Sequence, residues 1–282
     1  HVGRDHTQSL GETIAEIAAE KVAIGRDGRP MIVAQPSIAV AAAKRVGINP
    51  VFRKLATHVV VEKVRISADE MTTEGVLNGP MLGEPLHVNL SLAGAHQMEN
   101  AALAVMAYVE TAAVLRGKDI ELPPPIEVVG ALAGVTWPGR AEVISNKPLI
   151  VVDAAHNESG AAALVELLER RSKRWQVVLA MRNNRKPEAF IRALAPIAQT
   201  FWVPRMQSGA LHDAQELAKV VDIAAPQAAV AVSSAERCLD HAKMECYAGG
   251  GVLVTGSIYG IGELLHRGLI DSPRLKKWLH GD

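Results

Sequence analysis

The chain contains only two cysteines, Cys238 and Cys246, among 282 residues. They form no CxxC pair, so we expect two free thiols in a reducing, cytoplasmic compartment rather than a disulfide framework or a thiolate metal site. The chain also has no excess of charge, since 30 Lys and Arg balance 30 Asp and Glu. This balance gives no reason to expect binding to nucleic acid or to an anionic membrane surface.

Long apolar runs are missing as well. The uninterrupted apolar stretches fall short of the roughly 20 residues that a membrane-spanning helix requires, and no signal peptide is visible. The sequence opens on His1 rather than Met and has no leader character. We therefore expect a piece of a longer protein that has no membrane partner.

Several familiar ligand motifs are absent from these residues. The Walker A pattern G-x-x-x-x-G-K-[ST] fails at the one Gly-Lys pair, Gly117-Lys118, because Asp119 follows it. The dinucleotide fingerprint fails at Gly260 and Gly262, which lack a third glycine at the required spacing. No HExxH, zinc-ligand spacing or GxSxG is found. The sequence therefore predicts no self-contained phosphate-binding loop.

What is present is enough apolar material, 49% of the residues, for about two domains. In the first part, helical spacing predicts a helix over 9–24, with Ser9 and Glu12 as a capping box at its start. Further predicted elements are a strand at 31–34, a helix at 37–46 stopped by Gly47, hairpin strands at 59–64 and 86–92, and helices at 96–116 and 126–134.

Beyond the turn at 137–140, strands and helices alternate regularly. The predicted strands are 149–153, 176–181, 200–203, 229–232 and 251–255, and the predicted helices are 158–172, 187–195, 213–222, 234–246 and 258–267. This alternation predicts an α/β fold with a parallel, doubly wound sheet. We expect residues 137–282 to form a complete Rossmann-like domain and residues 1–136 to be the tail of a larger α/β domain.

The polar segment Asp153-Ala154-Ala155-His156-Asn157 directly follows a predicted apolar strand. An aspartate at that position costs free energy unless it has partners. Open α/β sheets bind their ligands at the carboxyl ends of the strands. We therefore favour a functional role for this segment over a purely structural one.

Four other polar motifs suggest a site, although each also has an ordinary structural explanation. Asp5-His6-Thr7 with Lys21 could be a surface loop and a lysine that favours the helix dipole, and Gly94 to Asn100 could be a set of helix caps. The arginine of Trp137-Pro138-Gly139-Arg140 could be solvated, and the serine of Thr255-Gly256-Ser257 could cap a helix.

In their order and separations, these five motifs resemble the Mur ligase superfamily, and within it the folylpolyglutamate synthase/dihydrofolate synthase group. The family patterns G-x-D-H-T-x-x-L-G-x-T, G-x-H-Q-x-x-N-A, [WL]-P-G-R, D-G-A-H-N and [TF]-G-S match residues 3–13, 94–101, 137–140, 153–157 and 255–257. Ala154 replaces the usual glycine, and the loop at 182–186 reads Arg-Asn-Asn-Arg-Lys where the family has a D-K-D-like sequence.

The resemblance implies an ATP-dependent ligase that joins L-glutamate to a folate or dihydropteroate carboxylate through an acyl phosphate. It implies that residues 1–136 are the C-terminal part of the Mur-type ATP-binding domain and that residues 137–282 are the Rossmann-like C-terminal domain. The family's P-loop and folate loop would then precede residue 1. We accordingly expect these residues alone to be inactive and to bind ATP weakly, and the full-length protein to be a monomer.

The resemblance also implies roles for single residues. His6 matches a Mg²⁺ ligand, and Lys21 matches a lysine that becomes a carbamate and so offers oxygen ligands. The candidate metal ligands are thus His6 and carbamylated Lys21, and the candidate catalytic residues are Lys21 and His156. The candidate ATP-binding residues are Asn100 at the adenine, Arg140 at the phosphates, Asp153 at the ribose, and His156. The candidate substrate-binding residues are Ser257 and His156.

Two other functions remain open at this point. The first is another Mur-type ligase, one that joins an amino acid to a peptidoglycan precursor. The residues of the 94–100 and 153–157 motifs favour a folate ligase over this alternative. The second is a non-catalytic nucleotide-binding module without a P-loop, which the altered loop at 182–186 allows.

Overall fold

The computed structural model describes residues 11, 13–172, 174–246 and 250–280. They form two compact units, here called the first and the second unit. The first unit comprises the chain up to Ile66 together with Thr72–Ser91 and Ala95–Val135. The second unit comprises Ser67–Met71, Leu92–Gly94 and the chain from Thr136 onward. Both units combine helices with sheets, which confirms the predicted α/β class.

The first unit contains two small sheets and four α-helices among the described residues. A parallel pair joins β1 (Pro30–Val33) and β2 (Val51–Lys54). A three-stranded sheet has the order β3-β4-β5, with β3 at Val60–Ser67, β4 at Thr72–Asn78 and β5 at Leu86–Leu90, and β4 runs antiparallel to β5. The helices are α1 (Ile14–Val22), α2 (Pro36–Val46), α3 (Ala95–Arg116) and α4 (Pro125–Val128), and a 3-10 helix at Val129–Gly134 follows.

Helix α1 begins later than the sequence pattern predicts. Its capping box consists of Thr13 and Glu16: the Thr13 hydroxyl accepts from the Glu16 amide at 3.2 Å, and the Glu16 carboxylate accepts from the Thr13 amide at 3.0 Å. Ser9 and Glu12, the predicted capping pair, lie outside the described residues. The predicted stop of α2 at Gly47 is confirmed, because Gly47 adopts the left-handed conformation with φ 74°.

Helix α3 has 22 residues and is long and apolar enough to cross a membrane by length and composition alone. Core helices of globular domains pass the same test. Met98, Ala102 and Met106, on one side of α3, are fully buried inside the first unit. Glu110 on the same helix forms an ion pair with Arg53 of β2. One side of α3 therefore packs inside the first unit, whereas only 28% of its most apolar 18-residue stretch is buried.

The second unit is built on one six-stranded sheet with the order β10-β9-β8-β11-β7-β6. Its strands are β6 (Glu142–Asn146), β7 (Leu149–Asp153), β8 (Trp175–Leu179), β9 (Ala198–Arg205), β10 (Ala229–Ser234) and β11 (Gly251–Thr255). Its helices are α5 (Glu158–Leu168), α6 (Glu188–Leu194), α7 (Ala214–Ala224), α8 (Ala235–Met244), α9 (Ile258–His266) and α10 (Pro273–His280).

The five predicted strands of this sheet are present and pair in parallel. The predicted parallel, doubly wound sheet is thus confirmed, and it has one further strand at its edge, β6, which runs antiparallel to β7. The sequence pattern did not predict strand β6, because a register shift between Val143 and Ser145 breaks its side-chain alternation. Helix α10 also escaped prediction.

Apolar residues cover both faces of the sheet. On one face, Val152, Val178 and Val254 pack with residues of α8, α9 and α10 in a single cluster. Their neighbours along the strands point the other way, and Val151 and Val177 among them are fully buried too. Strands buried on both faces read as continuous apolar runs, which explains why the sequence identified them.

The two thiols of the second unit differ in accessibility. Cys238 is fully buried, and burial raises the pKa of its thiol to about 11. Cys246 is half-buried, and burial raises its pKa as well. At pH 8 about 0.1% of Cys238 is then thiolate, the reactive form.

We expect a thiol reagent at pH 8 to modify Cys246 first and Cys238 only on unfolding, with the rate at Cys246 increasing as pH rises. Peptide mapping by mass spectrometry checks the order, and early labelling of Cys238 would contradict it.

Candidate functional site

The carboxyl ends of three neighbouring strands in the second unit meet at one edge of the sheet. Strand β11 lies between β7 and β8, and Thr255 is in register with Asp153 on one side and Leu179 on the other. The loops that follow are joined by backbone hydrogen bonds, from the Gly256 amide to the Ala155 carbonyl at 3.1 Å and from the Ala180 amide to the Thr255 carbonyl at 3.2 Å. The fold thus brings the 153–157 and 255–257 motifs side by side.

Asp153 is buried, with 8% of its surface exposed. One carboxylate oxygen accepts a hydrogen bond from the Ala155 amide at 2.6 Å, and the other accepts from the Ala141 amide at 2.8 Å. These are the partners that a strand-ending aspartate needs. Asp153 therefore joins the loop that carries His156 to the turn that carries Arg140.

The turn around Arg140 is held in a specific backbone shape. Gly139 and Ala141 both have positive φ, 67° and 44°, and for a residue with a Cβ such as Ala141 this conformation costs roughly 1–2 kcal/mol. The Gly139 carbonyl accepts from the Ala154 amide at 2.9 Å, and the Gly139 amide donates to the Glu142 carboxylate at 2.9 Å. The Arg140 side chain itself is exposed, so the turn presents a fixed backbone and an accessible cation.

His156 and Asn157 follow Asp153 at the start of α5. The Nδ1 atom of His156 lies 3.0 Å from the Ala154 carbonyl oxygen. A carbonyl can only accept, so Nδ1 carries the hydrogen, and in a neutral ring Nε2 is then the acceptor nitrogen. Asn157 caps α5 by accepting from the Gly160 amide at 2.9 Å.

Ser257 is almost fully buried, with 3% of its surface exposed. Its hydroxyl accepts from the Tyr259 amide at 3.1 Å and caps α9. The capping role considered for Ser257 from the sequence is therefore present. The preceding Gly256 has φ 102°, and a Cβ there would lie 2.7 Å from the Ala180 carbonyl oxygen. Only glycine fits at that position, because the loop after β11 passes so close to the end of β8.

A further basic residue, Arg182, which is not part of the five motifs, lies at the same edge of the sheet. The Arg182 guanidinium carbon is 4.6 Å from the centre of the Tyr259 ring, a cation–π arrangement. Its Nε is buried and has no hydrogen-bond partner in the part of the chain that the structure describes. The loop continues to Arg185, whose pKa is lowered by desolvation. The sequence showed the basic residues of this loop but not that Tyr259 would lie beside Arg182.

The remaining predicted site residues belong to the first unit. Lys21 is exposed in the last turn of α1, as predicted. Asn100 is exposed on α3 and donates to the Gln97 side-chain oxygen at 3.1 Å. His6 lies outside the described residues. Arg140, Asp153, His156 and Ser257 all belong to the second unit.

The described residues do not by themselves make a metal site. Among them, no group of three or more His, Cys, Asp or Glu side chains is arranged to hold a metal ion. Of the two predicted metal ligands, Lys21 could offer oxygen ligands only as a carbamate, and His6 lies outside the described residues.

Comparison with known proteins gives a consistent result. Residues 139–258 match the family model described as Mur ligase, glutamate ligase domain. The chain is 27% identical over 286 aligned positions to the dihydrofolate synthase/folylpolyglutamate synthase of Bacillus subtilis, covering 94% of this chain and 61% of the relative. The chain thus spans about 61% of the length of that relative.

Solved structures agree with the sequence comparison. A folylpolyglutamate synthase of Mycobacterium tuberculosis complexed with ADP superposes with a TM-score of 0.78 at 25% identity, covering 95% of this chain and 61% of that chain. A bifunctional folylpolyglutamate synthase/dihydrofolate synthase with Mn, AMPPNP and L-glutamate bound superposes with a TM-score of 0.70 at 20% identity, covering 94% and 60%.

Proposed function

We propose that the full-length protein is an ATP-dependent carbon–nitrogen ligase, because residues 139–258 match the family model of the Mur ligase glutamate ligase domain and the chain is similar to folylpolyglutamate and dihydrofolate synthases. It adds L-glutamate to the carboxylate of a folate or of dihydropteroate. The observation that carries this proposal is the joint placement of Asp153, His156, Ser257 and the Arg140 turn at one sheet edge inside the matched region.

The proposed reaction has two steps. A carboxylate oxygen of the folate attacks the γ-phosphorus of ATP, the bond to the bridging oxygen breaks, and ADP leaves, so that an acyl phosphate forms. The glutamate amine then attacks the acyl carbon, loses a proton, and expels inorganic phosphate with the electrons of the C–O bond. Catalysis of such transfers consists mainly of holding groups in line and stabilising phosphate charge.

Within the second unit, each proposed role suits the observed contacts. Arg140 offers a permanently charged planar fork to the phosphates from a turn whose backbone is fixed. Asp153 is assigned to a ribose hydroxyl, which can donate a hydrogen bond to a carboxylate. His156 and Ser257 are assigned to phosphate and glutamate; the Ser257 oxygen accepts from an amide, and its hydroxyl hydrogen can donate to an anion.

For the first unit we infer roles from the motif match. Asn100 is assigned to the adenine, and Lys21, as a carbamate, and His6 are assigned to a divalent cation, which we take to be Mg²⁺ and which would neutralise phosphate charge. The Mn in the structure with AMPPNP and L-glutamate supports a divalent metal in this fold. We assign residues 1–136 to the C-terminal part of the ATP-binding domain and residues 137–282 to the glutamate ligase domain. The free thiols Cys238 and Cys246 fit a cytoplasmic setting.

The proposal is tested by an assay of the full-length polypeptide that contains these residues. With ATP, labelled L-glutamate and either tetrahydrofolate or dihydropteroate, we expect one ADP and one phosphate for each glutamate bound to the pterin product. Chromatography of the labelled product and a coupled ADP assay measure the two sides of this balance. Turnover only with a UDP-muramyl precursor would favour a peptidoglycan ligase, and no ATP-dependent turnover with any acceptor would favour a non-catalytic module.

A further inference from the structure

A buried polar contact connects the C-terminal helix to the start of β6. Glu142 has 8% of its surface exposed and Ser272 has none. The Ser272 hydroxyl donates to one Glu142 carboxylate oxygen at 2.6 Å and accepts from the Leu275 amide at 3.0 Å, so that it also caps α10. Burying a carboxylate is costly unless it is hydrogen-bonded. An apolar pair could pack the same space, so this polar contact calls for a reason beyond packing.

The second oxygen of Glu142 gives that reason. It accepts the hydrogen bond from the Gly139 amide at 2.9 Å. On the other side of Arg140, the Ala141 amide donates to Asp153 at 2.8 Å. The residues before and after Arg140 are therefore each fixed to a buried carboxylate, and both have positive φ.

We propose that Ser272 and Glu142 are positioning residues for Arg140. The Ser272 hydroxyl orients the Glu142 carboxylate, the carboxylate fixes the Gly139 amide, and the Gly139 amide sets the backbone direction from which Arg140 extends. The C-terminal helix α10 thereby becomes part of the support of the phosphate-binding arginine. The inference rests on the proposed role of Arg140 at the ATP phosphates.

The first test is Ser272→Ala in the full-length polypeptide, because it removes the hydroxyl and leaves one Glu142 oxygen without its donor. A displaced arginine should raise the KM for ATP by about tenfold, with the KM for glutamate unchanged. The Gly139 amide should also exchange its hydrogen about tenfold faster. The matched control is Ser234→Ala, which removes the serine cap of α8, where the hydroxyl accepts from the Arg237 amide. It should change neither the KM for ATP nor exchange at Gly139.

A double variant distinguishes an effect of Ser272 through Arg140 from an effect on the fold as a whole. In an Arg140→Ala background, Ser272→Ala should have no further effect on the KM for ATP, because its effect passes through Arg140. An equal loss with and without Arg140 would show that Ser272 acts only on the fold and would overturn the proposal. If Ser272→Ala does not fold, Glu142→Gln takes its place. The amide oxygen can still face Gly139, so a smaller shift of the same kind is expected, and no shift would overturn the proposal.

Two measurements distinguish the proposed function from the positioning contact. Absence of turnover by the unaltered protein would contradict the proposed function and, with it, the role of this contact in binding ATP. Unchanged hydrogen exchange at Gly139 in Ser272→Ala would contradict the positioning contact itself, whether or not the protein turns over.

Discussion

Replacing Arg140 with alanine is expected to lower the kcat of the ligase reaction by about 100- to 1,000-fold, the usual cost of removing one preorganised charge from a transferring group, and to raise the KM for ATP at least as much as Ser272→Ala does. The Arg140 side chain is exposed, so its loss should leave the fold intact. The hydrogen bonds that fix the turn come from the amides of Gly139 and Ala141, which the substitution keeps. Steady-state kinetics with ATP varied, together with a thermal unfolding curve, measures both effects.

Two further variants sharpen this expectation. Arg140→Lys keeps the charge but loses the planar fork, so its loss of kcat should be real but smaller than that of alanine. Arg170→Ala is the matched control, because Arg170 is an exposed arginine of the same unit whose ion pair is with Glu166 one helical turn away. Its kcat should be unchanged. If Arg140→Ala keeps its kcat within a factor of two of the parent, Arg140 does not contact the reacting phosphates.

The sequence predicted the second unit well where burial dictates the pattern. Leu149–Asp153 and Gly251–Thr255 are apolar along nearly their whole length, and both are interior strands of the sheet, where both faces are covered. The helices between them have one apolar side and begin at polar caps such as Asn157 and Asp213. Local signals of this kind survive in a single sequence.

Contacts between distant residues were not predictable in the same way. Glu142 and Ser272 are 130 positions apart, and neither has a pattern around it that names the other. Arg182 and Tyr259 likewise meet because β8 and β11 are neighbours in the sheet. The strand order, and not any motif, decides which loops lie side by side. The edge strand β6, with its register shift, was missed for the related reason that its local pattern is irregular.

Asp153 illustrates how far a motif can be interpreted. The sequence indicated that an aspartate ending an apolar strand needs partners, and the partners are the amides of Ala141 and Ala155. These contacts would be required in any protein with this turn, whatever the ligand. The motif match therefore points to the place of the site, while the assignment of Asp153 to a ribose hydroxyl remains a prediction for ligand-bound experiments.

The two glycines of α9 should respond in opposite directions to the same substitution. A Cβ added at Gly260 would lie 2.6 Å from the Ala180 Cβ, whereas a Cβ at Gly262 would meet nothing within 4 Å. Overpacking of this kind costs about 1–3 kcal/mol, so Gly260→Ala should lower the free energy of unfolding. Gly262→Ala should raise it by roughly 0.5–1 kcal/mol, because alanine is the better helix former.

Tryptophan fluorescence during urea unfolding is a suitable measurement for this pair. All four tryptophans, at 137, 175, 202 and 278, belong to the second unit, so their signal reports its unfolding without a contribution from the first unit. Gly260→Ala also moves α9 away from the end of β8, and Ser257 caps α9. We therefore expect Gly260→Ala to weaken glutamate binding in the full-length protein as well, and Gly262→Ala to leave it unchanged. Equal stability of the two variants would mean that α9 does not approach β8 as closely as these distances require.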